Sequence, residues 1–277
     1  MVQLRLEDGN IEHNTAKVIS SIAQTDVAGG TQLIVFPETT LSGFPTPENV
    51  AAVAQPVDGP AVTAVRDAAR SAGVSVVVGF AERDAAQFFN TSLLIDETGE
   101  ILLRYRKTHL WATDVGVFAA GDRFETRRWQ GIEVGLLICY DIEFPETARA
   151  VASLGAGLLI VTDGNMDPYG PVHRRAIVAR AMENQMFAVL TNRCGSGAEA
   201  MSFPGESALV DPFGEVVAAA GAEEQRLTAR IDLDRLDASR ARYRYLHDAR
   251  VALDLAPIDT ADSRSALVIQ NRRRPAG

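Results

Sequence analysis

Apolar positions along this chain switch repeatedly between a helical period and a strand period. Residues 2–6 alternate like a short strand. Ile11, Val18, Ile19, Ile22 and Ala23 then fall at helical spacing and predict a helix over 11–27, closed by Gly29 and Gly30. A buried strand is expected over 33–36, ended by Pro37 and Glu38. Pro45, Pro47, Pro56 and Gly59 mark 41–59 as loop. A helix over 60–72 opens on Pro60, where the missing N–H removes no hydrogen bond. The β-branched run over 74–80 predicts a strand, and 88–96 and 101–107 flank the hairpin signal Glu97-Thr-Gly-Glu100. Residues 108–122 read as loop, 132–138 as strand, 144–154 as helix, 157–162 as strand, 172–186 as helix and 187–191 as strand. A second hairpin joins 207–210 to 215–220 through Asp211-Pro-Phe-Gly214. A last strand over 227–231 and a short helix over 233–241 complete the pattern.

Strands that alternate with helices, with several hairpins between them, predict an α/β layered domain with mixed sheets. No repeat or linker divides the chain, so residues 1–250 are expected to form a single domain. Residues 251–277 are expected to be a C-terminal tail, either subunit-contacting or flexible. The 277 residues are 47% hydrophobic, ample for one large core. No apolar run reaches the length of a membrane span. Arg5, Glu7 and Asp8 come too early for a secretory leader. A soluble, cytoplasmic protein is therefore expected. The net charge of -9 argues against a nucleic-acid surface, and the one dense basic run is Arg272-Arg273-Arg274. The four histidines His13, His109, His173 and His247 fall at no metal-ligand spacing with one another or with a cysteine, so no metal site is expected. No glycine-rich phosphate loop is present.

Three residues carry candidate chemistry. Glu38, Lys107 and Cys139 each stand at, or just after, the end of a strand-like run. Ligands of open α/β sheets bind at that strand edge. Only Lys17 and Lys107 are lysines in a chain otherwise rich in arginine, which makes each worth attention. Cys139 follows the apolar run Gly135-Leu-Leu-Ile and precedes Pro145, which opens a helix. A strand-to-helix turn is expected to push the thiol toward solvent, and the helix N-terminus to lower its pKa. Cys194, the other cysteine, is expected to pack and to remain a free thiol.

These residues lie in segments that resemble the signatures of the nitrilase superfamily of carbon–nitrogen hydrolases. The Glu block is Leu33-Ile-Val-Phe-Pro-Glu38 and the Lys block is Tyr105-Arg-Lys107-Thr-His-Leu110. The Cys block is Leu136-Leu-Ile-Cys139-Tyr-Asp-Ile-Glu-Phe-Pro-Glu146. Arg180-Ala-Met-Glu-Asn184 and Phe203-Pro-Gly-Glu-Ser207 also fit. The resemblance implies a four-layer α-β-β-α sandwich and a Glu38–Lys107–Cys139 triad with no metal or organic cofactor. It implies an amidase that hydrolyses a small carboxamide through a cysteine thioester, acting as a homodimer or higher homo-oligomer. A nitrilase, an N-carbamoyl amino acid amidohydrolase and a catalytically silent interaction protein of the same fold are the alternatives.

Lys107 and the backbone N–H of Tyr140 are the expected oxyanion donors. Asp114 stands near the place where relatives carry a second glutamate. Trp111 is expected either to line the pocket or to pack on the sheet, and Thr162 and Asn165 to belong to the pocket wall. Ile142 and Glu143 occupy the turn after Cys139, where enzymes acting on N-carbamoyl amino acids usually carry a basic residue. With Asp141 and Glu143 there instead, a neutral or amine-bearing amide is expected as substrate. Arg174 and Arg175 are expected at a solvated helix start, the alternative being a clamp for a substrate carboxylate.

Overall fold

The computed structural model describes residues 1–251, 255–259 and 265–269. Its first half runs β1 (Val2–Gln3), α1 (Ile11–Ala23), β2 (Leu33–Val35), α2 (Val50–Val53), α3 (Pro60–Ala72), β3 (Ser75–Asp84), β4 (Gln87–Ile95) and β5 (Ile101–Arg106). Next come β6 (Arg123–Trp129), β7 (Ile132–Ile138), α4 (Pro145–Ser153), β8 (Leu158–Asp163), α5 (Gly170–Asn184) and β9 (Phe187–Asn192). Short elements follow: β10 (Cys194–Ser196), β11 (Ser202–Pro204), β12 (Ala208–Val210), β13 (Val216–Ala219) and β14 (Gln225–Arg226). The described chain ends with α6 (Asp234–Arg240), α7 (Tyr245–Asp248), β15 (Leu255–Asp259) and β16 (Ser265–Ile269).

Period-two alternation sorts the strands into two sheets with two cores. One sheet has the order β2-β3-β4-β5, the other β13-β12-β9-β8-β7-β6-β16-β15. Ile34, Val76, Val78, Leu93 and Ile95 of the smaller sheet pack with Val18 and Ile22 of α1 and Val62 and Val65 of α3. Their strand neighbours Val35, Val77, Leu94, Leu103 and Tyr105 face the other way and share a core with β7, β8 and β9. Ala148 and Val151 of α4 and Ile177 and Ala181 of α5 cover the larger sheet. Helix, sheet, sheet and helix layers therefore stack in the expected α-β-β-α order. Among the described residues no helix is long and apolar enough to cross a membrane.

The structure departs from the sequence reading in a few segments. The strand expected over 2–6 is ordered as a ladder only at Val2–Gln3, paired with β14. Residues 227–231 form no strand, since that pairing stops at Arg226. Strand β6 was not anticipated: Phe124 and Thr126 are buried, but the charged residues Arg123, Glu125 and Arg127 around them hide the alternation. The loop over 41–59 contains the short helix α2. Within the segment expected as a tail, β16 pairs with β6 and β15 pairs with β16, so a hairpin extends the large sheet. Arg272-Arg273-Arg274 lies outside the described residues. Lys17, on α1, donates to the Arg5 carbonyl at 2.8 Å and pairs with Glu224 at 2.5 Å.

One glycine sets the seat of α4. A Cβ at Gly135 of β7 would stand 2.0 Å from Cγ1 of Val151, which is fully buried on α4. Val151 is β-branched and has little rotamer freedom in a helix. Gly135→Ala is expected to lower unfolding free energy by about 1–3 kcal/mol. Adding Val151→Ala should give a double variant more stable than the sum of the two single losses, measured by urea unfolding.

Candidate active site

The ends of β2, β5 and β7 bring Glu38, Lys107 and Cys139 into one buried cluster at the seam between the sheets. The Glu38 N–H donates to the Asp163 carbonyl at 3.1 Å, which ties the end of β2 to the end of β8. Lys107 Nζ donates to Glu38 Oε1 at 2.8 Å and to Asp114 Oδ2 at 2.7 Å. Asn90 Nδ2, from β4, donates to the same Glu38 oxygen at 2.7 Å. Glu38 Oε2 is buried and has no partner among the described residues. Burial, with the Asp114 charge added, raises the Glu38 carboxyl above its ordinary range despite the opposing Lys107 ammonium. Burial would lower Lys107, but the Glu38 and Asp114 charges override it and hold the ammonium firmly protonated.

Cys139 begins a 3-10 turn, Cys139–Glu143, that separates β7 from α4. Its backbone is left-handed, with φ +45°, a conformation that costs a residue other than glycine of order 1–3 kcal/mol. Asp141 holds this elbow. It is fully buried and accepts from Tyr105 Oη at 2.8 Å, Thr108 Oγ1 at 2.8 Å, the His109 N–H at 2.9 Å and the Ile138 N–H at 3.1 Å. One carboxylate thus fastens the Lys107 segment to the Cys139 segment. From the other side Arg180 of α5 donates to the carbonyls of Ile142 and Glu143 at 2.9 and 3.0 Å.

Two expectations about Cys139 are corrected. The thiol is not pushed to solvent, because Cys139 is only 7% exposed. Its pKa is not lowered but raised well above that of a free thiol, by burial first and then by the Glu38 charge. The helix dipole does not help, since α4 starts at Pro145, beyond the 3-10 turn, and its influence fades within a turn. A resting thiol therefore needs a base. A Cβ on Gly164 would stand 2.4 Å from Glu38 Oε2, and the Gly164 N–H donates to Asp163 Oδ1 at 3.0 Å.

The remaining expected residues divide. Asp114 joins the site through Lys107, and its Oδ2 also accepts from the Trp111 N–H at 3.0 Å. The Trp111 ring meets the Tyr169 ring edge-on at 6.4 Å, and Tyr140 meets Phe144 at 5.0 Å. Thr162 does not offer its hydroxyl to a ligand: it is fully buried and shares a 2.6 Å hydrogen bond with Ser92 across the seam. The Asn165 amide is spent on the Tyr169 carbonyl at 3.0 Å, so it braces the loop. Asp141 is likewise turned away from any substrate by its four donors. Cys194 is buried away from Cys139, and Arg174 is half exposed and pairs with Glu206 at 2.8 Å.

Sequence reasoning missed Asn90 and a chain of charges behind the thiol. Asn90 is polar within an otherwise strand-forming run, which was its only signal. His173 Nδ1 faces Asp163 Oδ1 at 3.0 Å, and its Nε2 faces Glu143 Oε1 at 3.2 Å. Donor atoms of Cys139, Asp163 and His173 lie within 4.8 Å of one another. They come from the turn after β7, from β8 and from α5, so no linear spacing announced them. Both ring nitrogens already face carboxylates, and an imidazolium has no lone pair to give a metal.

The position of Gly164 carries a prediction. Its backbone lies outside the left-handed region, so alanine brings no backbone strain. The new methyl would displace Glu38 Oε2 and the Phe44 ring. Gly164→Ala is expected to keep the circular dichroism spectrum and to lower kcat by about 100-fold.

Comparison with known proteins agrees with this geometry. The sequence profile described as carbon-nitrogen hydrolase matches residues 1–241. An (R)-stereoselective amidase of Pseudomonas sp. is 50% identical over 269 residues, covering 97% of each chain. The crystal structure of an amidase from Nesterenkonia sp. superposes with a TM-score of 0.80 at 28% identity, covering 90% of this chain and 91% of the other. A mutant of that amidase carries the acetamide moiety of fluoroacetamide covalently on its active-site cysteine, and superposes with a TM-score of 0.79 at 28% identity over 90% and 92% of the two chains. With its signatures folded into one buried Glu–Lys–Cys pocket, the chain belongs to the carbon–nitrogen hydrolase family, in the nitrilase superfamily.

Proposed function

We propose that this protein is an amidase that hydrolyses a small carboxamide to a carboxylic acid and ammonia or an amine, through a thioester on Cys139. The observation that carries the reading is a buried thiol acted on by the charge of Glu38, a buried glutamate with one oxygen that has no partner among the described residues. As sulfur bonds to the carbonyl carbon, Glu38 takes the thiol proton. Negative charge then develops on the carbonyl oxygen. An ammonium has three donors, and two of those on Lys107 are used by Glu38 and Asp114. The third is left for the oxyanion, beside the backbone N–H of Tyr140. Glu38 returns its proton to the nitrogen as the C–N bond breaks. Water, deprotonated by Glu38, attacks the thioester; the C–S bond breaks, and the proton returns to sulfur as the acid leaves. A raised Glu38 pKa suits a group that both accepts and donates protons.

Charge around the pocket supports a neutral or amine-bearing substrate. Four carboxyl groups, Glu38, Asp114, Glu143 and Asp163, face one ammonium and one imidazole. Arg174, one of the two candidate clamps for a substrate carboxylate with Arg175, is engaged by Glu206. The 50% identity to an (R)-stereoselective amidase supports the same handedness here. A homodimer or larger homo-oligomer belongs to the same proposal, supported by the exposed, stacked Tyr243 and Tyr245 rings. So does a cytoplasmic location, supported by two free cysteines.

Cys139→Ala and Cys139→Ser are expected to lose amide hydrolysis by about 10⁴-fold or more while remaining folded. Cys194→Ala should keep most of it. Intact mass after substrate addition should show an acyl adduct in wild type and none in Cys139→Ala. Ammonia release by Cys139→Ala near the wild-type rate would end the mechanism.

Substrate choice is checked with a simple amide, both enantiomers of an amino-carboxamide, a nitrile and an N-carbamoyl amino acid. The (R)-amino-carboxamide is expected to give the highest kcat/KM. Preference for the N-carbamoyl compound would contradict the charge argument.

A further inference from the structure

His173 has no part in the hydrolytic steps above, yet it is a buried ionisable group beside the nucleophile. It lies near the start of α5 and is 3% exposed. Its Nδ1 stands 3.0 and 3.1 Å from the two oxygens of Asp163, and its Nε2 3.2 Å from Glu143. With a carboxylate at each nitrogen, both nitrogens act as donors, so the ring carries two protons and a positive charge. Burial alone would lower its pKa; Asp163 foremost, then Glu143, carry it up to about 9. A ring in that state is no general base at neutral pH.

Asp163 needs such a partner. It is fully buried, and among the described residues its Oδ1 accepts, besides His173, only from the Gly164 and Asn165 N–H groups, at 3.0 and 3.2 Å. The cavity beside it, lined also by His173, Arg174, Asn192 and Glu206, holds about 10 Å³, room for about one water molecule. Asp163 itself has no surface in contact with bulk solvent. Its charge acts on both Cys139 and Glu38, opposing the thiolate and the glutamate anion.

We propose that His173, clamped between Asp163 and Glu143, is a positioning and charge-balancing residue for Cys139: it cancels the Asp163 charge at the sulfur and fixes where that carboxylate sits. The proposal rests on Cys139 being the nucleophile. The charged groups around His173 are Asp163 from β8 and Glu143 from the elbow in contact, with the Arg174–Glu206 pair at its flank. Glu38, Lys107, Asp114 and the Cys139 thiol itself make up the rest of the pocket.

The test is the rate of iodoacetamide alkylation of Cys139 against pH in the full chain, with kcat and KM for a carboxamide. His173→Gln leaves Asp163 uncompensated. The alkylation midpoint should rise by about one pH unit or more. The kcat should fall about tenfold, equivalent to about 1.4 kcal/mol, with KM little changed. Asp163→Asn with His173→Gln removes a charge of each sign, so the midpoint should return close to wild type. An unchanged midpoint in His173→Gln, or a double variant no better than the single, would overturn the proposal. Should His173→Gln not fold, the double variant, which buries no lone carboxylate, should fold and keep the wild-type midpoint. If it too fails to fold, or its midpoint rises, the proposal is overturned. Hydrolysis that survives Cys139→Ala would instead overturn the underlying reaction.

Discussion

An ammonium sealed between two carboxylates in a buried seam is the constraint on which the site depends. Lys107 is 2% exposed and its two ion-pair partners, Glu38 and Asp114, are 0% and 4% exposed. Such a group is tolerable only when paired, and removing one partner of a buried pair typically costs about 3–5 kcal/mol. The partners come from different places, the end of β2 and the turn after β5. Ordering the pair therefore orders two chain segments at once. The same arrangement makes the two Glu38 oxygens unequal: one accepts from Lys107 and Asn90, and the other has no partner among the described residues.

Around that pair, side-chain ties add to the backbone hydrogen bonds that hold the strand ends together. Asp141 joins Tyr105, Thr108 and His109 to the elbow, and Arg180 holds the elbow carbonyls from α5. These contacts offset the strained backbone of Cys139, which turns the chain sharply between β7 and α4. The apolar cores position the sheets, but the ionic and hydrogen-bonded seam positions Glu38, Lys107 and the Cys139 elbow.

Much of this was legible in the sequence, for identifiable reasons. Glu38, Lys107 and Cys139 stood out because chemistry-bearing side chains ended apolar runs. Strands such as β3 announced themselves through consecutive β-branched residues. Strand β6 did not, because Arg123, Glu125 and Arg127 interrupt it and only Phe124 and Thr126 point inward. The protonation behaviour of Cys139 was misread for a related reason. A local motif shows the helix ahead of the thiol but not the Glu38 and Asp163 charges that three-dimensional packing sets around it. Asp163, His173 and Glu143 meet only after β8, α5 and the elbow have packed, so no window of sequence contains them together. Thr162 was assigned to the pocket from its place at a strand end, whereas pleating turns it toward Ser92.

The scarcity of lysine has a practical consequence for handling this protein. Of its two lysines, Lys107 is sealed in the pocket, while Lys17 lies on α1 with 26% of its side chain accessible. Lysine-directed coupling to a solid support would therefore attach the folded protein through the α1 face, in a nearly uniform orientation. The pocket ammonium would be spared for as long as the two sheets stay together.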